Sequence, residues 1–139
     1  MTAVVIDTGP LVAWLNRRDQ HHRWSVQILD TVEVPLITCE PVLSEACFLL
    51  QGRDGQAAVL ELVTRGVLKI GMTVAHEVAT LQALMRRFAS VPMSLADACL
   101  VRITELYPRS VVLTIDRDFL VYRRNRRQAV PTIMPNQLR

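Results

Sequence analysis

Two short β-branched runs end on an aspartate: "AVVI" runs into Asp7, and "VVLTI" runs into Asp116. Such runs, apolar at every position instead of at alternate ones, suit strands covered on both faces, as in a parallel sheet. Val34–Thr38, 67–70 and 130–134 are built the same way. Helical patterns lie between them. Thr8-Gly9-Pro10 is expected to turn into a helix with Leu11, Trp14 and Leu15 inward, and further helices are expected at 22–29, from Pro41 to about Leu50, at 57–64, 74–88, 94–106 and from Asp116 to about Arg124. Pro41 suits a first helical turn, and Gly52 to Gly55 is expected to break the helix before it. The alternation predicts an α/β chain with a mainly parallel sheet of four to five strands flanked by helices. In such sheets ligands gather outside the carboxyl ends of the strands, where Asp7 and Asp116 stand.

At 139 residues the chain is expected to form a single domain over 1–139. Half of its residues are hydrophobic, yet no apolar run approaches the roughly 18 residues of a membrane span. The first residues lack a basic stretch and meet Asp7 early, unlike a signal peptide, so a soluble, cytoplasmic protein is expected. Cys39, Cys47 and Cys99 are widely spaced among apolar neighbours and are expected to fill the core. His21, His22 and His76 have no zinc-binding spacing and are expected at the surface.

Charge is unevenly spread. Residues 109–139 hold seven arginines against two acids, a balance of +5 within a chain of net charge +3. This asymmetry points to an anionic partner, either nucleic acid or an acidic peptide. The run "RRNRR" is equally compatible with a solvated helix end favoured by the helix dipole.

Four acids are embedded in apolar sequence: Asp7, Glu45 in "PVLSEACFLL", Asp97 in "SLADACLV", and Asp116. Each has a simple structural role open to it. Asp7 and Asp116 can cap the helices that follow, and Ser94 with Asp97 has the form of a capping box. Glu45 fits such a role least, because its helical neighbours are apolar and offer no cation. Gathered at one sheet edge, carboxylates about 5 Å apart would repel by roughly 3 kcal/mol per pair at an effective dielectric of about 20. Protonation or a bound cation must relieve that. An all-oxygen set suits a hard ion such as Mg²⁺ or Mn²⁺, and such an ion can activate water and orient a phosphodiester.

Together "VVIDTGPLVAWLNRRDQHH", "EPVLSEACFLL", "SLADACLV" and "LTIDRDF" resemble, in order and spacing, the PIN-domain family, and most closely its VapC-like toxins. The resemblance implies a Rossmann-like PIN fold and a Mg²⁺- or Mn²⁺-dependent endoribonuclease. It places Asp7, Glu45, Asp97 and Asp116 in the acidic metal site as catalytic residues. Asp118 matches the second acid of the last motif and supports the site from behind, as Thr8 and Thr114 do by hydrogen bonding. Arg117, Arg123, Arg124, Arg126 and Arg127 are the candidate RNA contacts. The resemblance further implies a homodimer inhibited by a VapB-like antitoxin. Gly9-Pro10 departs from the small hydroxyl residue common after the first Asp-Thr of relatives.

Two other classes compete. A PIN-like module that binds RNA or a protein without cutting needs the acids only as caps. A haloacid-dehalogenase-like phosphatase fits poorly, since Gly9 stands where its second aspartate belongs. A receiver domain fits poorly too, because Lys69, the only lysine, precedes the last two motifs.

Overall fold

The computed structural model describes residues 1–138, the Arg53 side chain excepted. In chain order the elements are β1 (Ala3–Ile6), α1 (Thr8–Leu15), α2 (His22–Leu29), β2 (Leu36–Thr38), α3 (Glu40–Leu50), α4 (Gly52–Thr64), β3 (Leu68–Ile70), α5 (Val74–Arg87), α6 (Leu95–Leu106) and β4 (Ser110–Leu113). A 3₁₀ turn (Arg117–Leu120), the short strands β5 (Arg123–Arg124), β6 (Gln128–Ala129) and β7 (Thr132–Ile133), and a second 3₁₀ turn (Asn136–Leu138) follow.

Five strands form one sheet in the order β3-β2-β1-β4-β7, and every neighbouring pair is parallel. The expected α/β architecture is therefore present. β1 lies at the centre and pairs with β4 over four residues, from Ala3 with Ser110 to Ile6 with Leu113. Val5, Ile6, Leu36, Ile37, Val112 and Leu113 are buried, as β-branched and aliphatic residues covered on both faces should be. α6 is the most enclosed helix, with Ala96 through Val101, Ile103 and Thr104 all buried. Cys39 and Cys99 are buried, Cys47 is half-buried, and all three are free thiols. No helix among the described residues is long and apolar enough to cross a membrane.

Local chemistry moved several boundaries. Thr8-Gly9-Pro10 is already helix, because Asp7 caps the first turn and Pro10 sits where no N–H donor is needed. The close approach of Ile115 explains Gly9: a Cβ there would meet Ile115 Cγ1 at 2.5 Å. The expected break after α3 falls at Gln51 (φ 35°) and Gly52 (φ 80°), and α4 starts at Gly52, earlier than the expected Ala57. On α5 the buried stripe is Leu81, Leu84 and Phe88, while Val78 is exposed.

The helix expected from Asp116 to about Arg124 is not formed. Its first turn is 3₁₀, after which the chain turns into the antiparallel β5–β6 hairpin. The Arg123 guanidinium takes the carbonyls of Leu120, Val121 and Tyr122, groups a continuing helix would need as acceptors. Asn125 (φ 47°) and Arg126 (φ 72°) make the left-handed tip.

Candidate active site

The ends of the central strands set the acids in place. β1 delivers Asp7, whose Oδ1 accepts the Thr8 N–H at 2.7 Å. Its Oδ2 accepts the Thr114 hydroxyl at 2.7 Å from the end of β4, and that hydroxyl oxygen in turn accepts the Asp116 N–H at 2.9 Å. Asp116 Oδ1 accepts the Asp118 N–H at 2.9 Å. The Tyr122 N–H then donates to the Asp118 carbonyl at 3.2 Å, and the Tyr122 hydroxyl donates to Asp97 Oδ2 at 2.7 Å. On the other side the Thr8 hydroxyl donates to Glu45 Oε2 at 2.8 Å. One hydrogen-bonded chain thus threads Glu45, Thr8, Asp7, Thr114, Asp116, Asp118, Tyr122 and Asp97.

Capping contributes to this arrangement. Asp7 and Asp116 are the N-caps of α1 and of the 3₁₀ turn. Ser94 caps α6 by accepting the Asp97 N–H at 3.0 Å, and its own N–H and hydroxyl favour the charged Asp97 in return.

Asp7 and Asp97 are 6% and 9% exposed, depths at which an unpaired charge is costly. Asp116 and Asp118 are half-buried, and Glu45 is exposed at the mouth. Burial pushes the Asp7 carboxyl up to about 7, against the hydrogen bonds from Thr114 and Thr8 and with repulsion from Asp97 and Asp116 added. Burial also raises Asp97, opposed by the Tyr122 bond and reinforced by Asp116. Asp118 is raised by desolvation and by Asp116. Tyr122 is raised by burial and by the neighbouring acids, so its phenol stays a proton donor at neutral pH.

Among the described residues no ion pair reaches these carboxylates. The ion pairs among the described residues join Arg65 to Glu61 and Arg102 to Glu77 and Glu105, all away from the acids. Nor do three His, Cys, Asp or Glu side chains among the described residues lie close enough to hold an ion together. The donor set itself fits a hard divalent cation: carboxylate oxygens with spare lone pairs, desolvated and mutually repelling. Asp7, Asp97 and Asp116, with Glu45 at the mouth, are the residues that would hold it.

The arginines divide into three groups. Arg117 is exposed beside Asp116. Arg123 is taken up by backbone carbonyls, as is Arg124, which donates to Thr104 and Pro108 at 3.0 and 3.2 Å. Arg126 and Arg127 join Ala79, Ala83, Arg87 and Glu105 around a cleft of about 690 Å³ at the opposite end of α6 from Asp97. That cleft is not at the acids. A second, of about 470 Å³, adjoins Glu45 and is lined by Ser44, Phe48 and Leu49.

The expected surface histidines hold for His76, which is exposed. His21 and His22 are half-buried, and His22 Nδ1 lies 2.7 Å from the Ala13 carbonyl. Sequence reasoning missed Tyr122 as a site residue. The available signal was general: a tyrosine in an apolar setting needs a partner for its hydroxyl.

Residues 4–125 match the family model described as PIN domain. The chain belongs to the PIN domain family. It is also similar to Ribonuclease VapC26 of Mycobacterium tuberculosis (strain ATCC 25618 / H37Rv), at 24% identity over 117 residues, covering 82% of this chain and 87% of that protein. Within this PIN domain the matched segment holds all four acids and Tyr122, whereas Arg126 and Arg127 fall just beyond it.

Proposed function

We propose that this PIN domain is a Mg²⁺- or Mn²⁺-dependent endoribonuclease and the toxin of a type II toxin–antitoxin pair. The observation that carries the reading is that Asp7, Asp97 and Asp116 repel one another and are linked through one hydrogen-bonded chain, with no ion pair to a cation among the described residues. The similarity to a protein named as a ribonuclease supports RNA as the substrate.

When bound, the divalent ion supplies a Lewis acid that activates water and neutralises charge on the phosphodiester. The chain's own residues do the rest. Asp7, Asp97, Asp116 and Glu45 would hold the ion. Thr114 orients Asp7 and fixes the backbone of Asp116, and Thr8 links Asp7 to Glu45. Asp118 supports Asp116 through its backbone N–H. Arg117 is placed to meet a flanking phosphate, and Arg126 and Arg127 can meet phosphates farther along. The exposed acid mouth suits the basic tail of a VapB-like antitoxin, and a homodimer is the expected assembly.

The rival reading, a module that binds without cutting, draws on the capping bonds of Asp7, Asp97 and Asp116. Thermal unfolding with and without Mn²⁺ separates the two. An ion at 100 times its dissociation constant stabilises the native state by about 2.7 kcal/mol. Wild type should gain stability on that scale, and Asp97→Asn should gain little while also losing RNA cleavage. If Mn²⁺ leaves wild type unchanged and Asp97→Asn is destabilised as a lost cap would be, the binding module is the better reading.

A further inference from the structure

Tyr122 joins two parts of the acidic site that the sheet alone does not connect. Asp7 and Asp116 are set by neighbouring strands, whereas Asp97 arrives on α6. The Tyr122 ring is fully buried and wedged edge-on between two others, at centroid distances of 5.4 Å from Phe88 and 5.1 Å from Phe119. A ring so enclosed has no second rotamer to visit without opening the core. Its backbone is bonded to Asp118, whose own N–H is bonded to Asp116. The position of its hydroxyl is thus referred to the acids at the end of β4, and that hydroxyl donates to Asp97 Oδ2 at 2.7 Å.

We infer that Tyr122 is a positioning residue: it fixes the Asp97 carboxylate relative to Asp7 and Asp116 and so sets the affinity of the acidic site for a divalent cation. The inference rests on the metal-dependent reading above. A neutral donor suits the task. An arginine or lysine at the same place would neutralise Asp97 and compete with a metal ion, whereas a phenol occupies part of one oxygen's capacity and leaves lone pairs free. Partners that orient metal-ligating side chains typically change metal affinity by about 10- to 100-fold when removed.

The test is Mn²⁺ binding to RNA-free protein, followed by titration calorimetry on wild type, Tyr122→Phe and Phe119→Leu. Tyr122→Phe deletes one oxygen and keeps the ring. Phe119→Leu disturbs the same aromatic cluster without touching the bond to Asp97. The expected result is a Mn²⁺ dissociation constant raised about 10- to 100-fold in Tyr122→Phe and within about twofold of wild type in Phe119→Leu. With RNA present, Tyr122→Phe should lower kcat at limiting Mn²⁺ and recover at high Mn²⁺, with KM for RNA unchanged. Equal affinity in wild type and Tyr122→Phe overturns the inference and leaves the metal site standing. Equal weakening in both variants also overturns it, because a loosened core then accounts for the effect. If wild type itself binds no Mn²⁺, the metal-dependent reading fails and the inference falls with it.

Discussion

Asp97 and Glu105 lie at opposite ends of α6, about 12 Å apart along its axis, and their surroundings differ. At the C-terminal end Arg102 reaches both Glu77 and Glu105, at 3.1 and 3.0 Å. Arg124 donates to the Thr104 and Pro108 carbonyls, and Glu105 accepts the Asn125 N–H at 2.6 Å. At the N-terminal end Asp97 has Ser94, Tyr122 and the repulsion of Asp116. An acid lies in the first turn of α6, and the Arg124 guanidinium, reaching over from the hairpin, meets a carbonyl at its finish, both as the helix dipole favours. Dipoles and caps therefore do not tell structural charge from functional charge. What separates them is compensation: among the described residues Glu105 has an ion-pair partner, and Asp97 has none.

The sharpest way to test this difference is to remove a charge from the uncompensated end. Asp7→Asn should lower RNA cleavage by at least about 10²-fold, the scale of losing one transition-state-stabilising contact. It should also remove a pH dependence. Without metal, Asp7 ionises near 3.8 in the unfolded chain and near 7 in the native one. Below the lower value both states are protonated and no penalty exists. Between about 4 and 7 the unfolded state releases its proton first, so native stability falls as pH rises, by roughly 4 kcal/mol in all. Denaturant unfolding across that range should show the slope in metal-free wild type and a shallower one in Asp7→Asn, with Asp97 supplying what remains. An unchanged slope would mean that Asp7 is not the strained group.

A smaller effect is expected where charge is compensated. Arg124→Ala strips donors from the carbonyls at the end of α6 and should destabilise the fold by about 1–3 kcal/mol. The cleavage rate of the folded enzyme should stay close to wild type, measured below the melting transition. A large loss of kcat there would break the division between the two ends. The smallest change belongs to Arg65→Ala, whose pair with Glu61 is exposed on both sides. Its unfolding free energy should stay within about 0.5 kcal/mol of wild type, especially in high salt.

Much of this was readable in advance because the central strands are continuous β-branched runs and the main helices carry a clear period. Asp7 and Asp116 were identifiable as strand-end acids for the same reason. Glu45 shows where such reasoning fails. Of its apolar neighbours Val42 and Ala46 are buried, yet Leu49 is 56% exposed on α3, and Glu45 is exposed with it. The hairpin was hidden because its strands are two residues long and turned by Asn125 and Arg126 where a glycine would have signalled the bend. The bond from Tyr122 to Asp97 spans 25 residues and follows from no local pattern. Capping and site-building had been weighed as rivals, whereas Asp7, Asp97 and Asp116 take part in both.

Thr114 gives the β1–β4 ladder a further meaning. Its hydroxyl spans Asp7 and Asp116 only while Ile6 faces Leu113, since a slip of one residue would turn it to the other side of the sheet. The spacing of the chemistry is thereby inherited from the part of the protein least able to drift. The α3–α4 helices and the arginine hairpin lie outside that ladder, so descendants of this chain are free to rewrite both while the spacing of the acids stays the same.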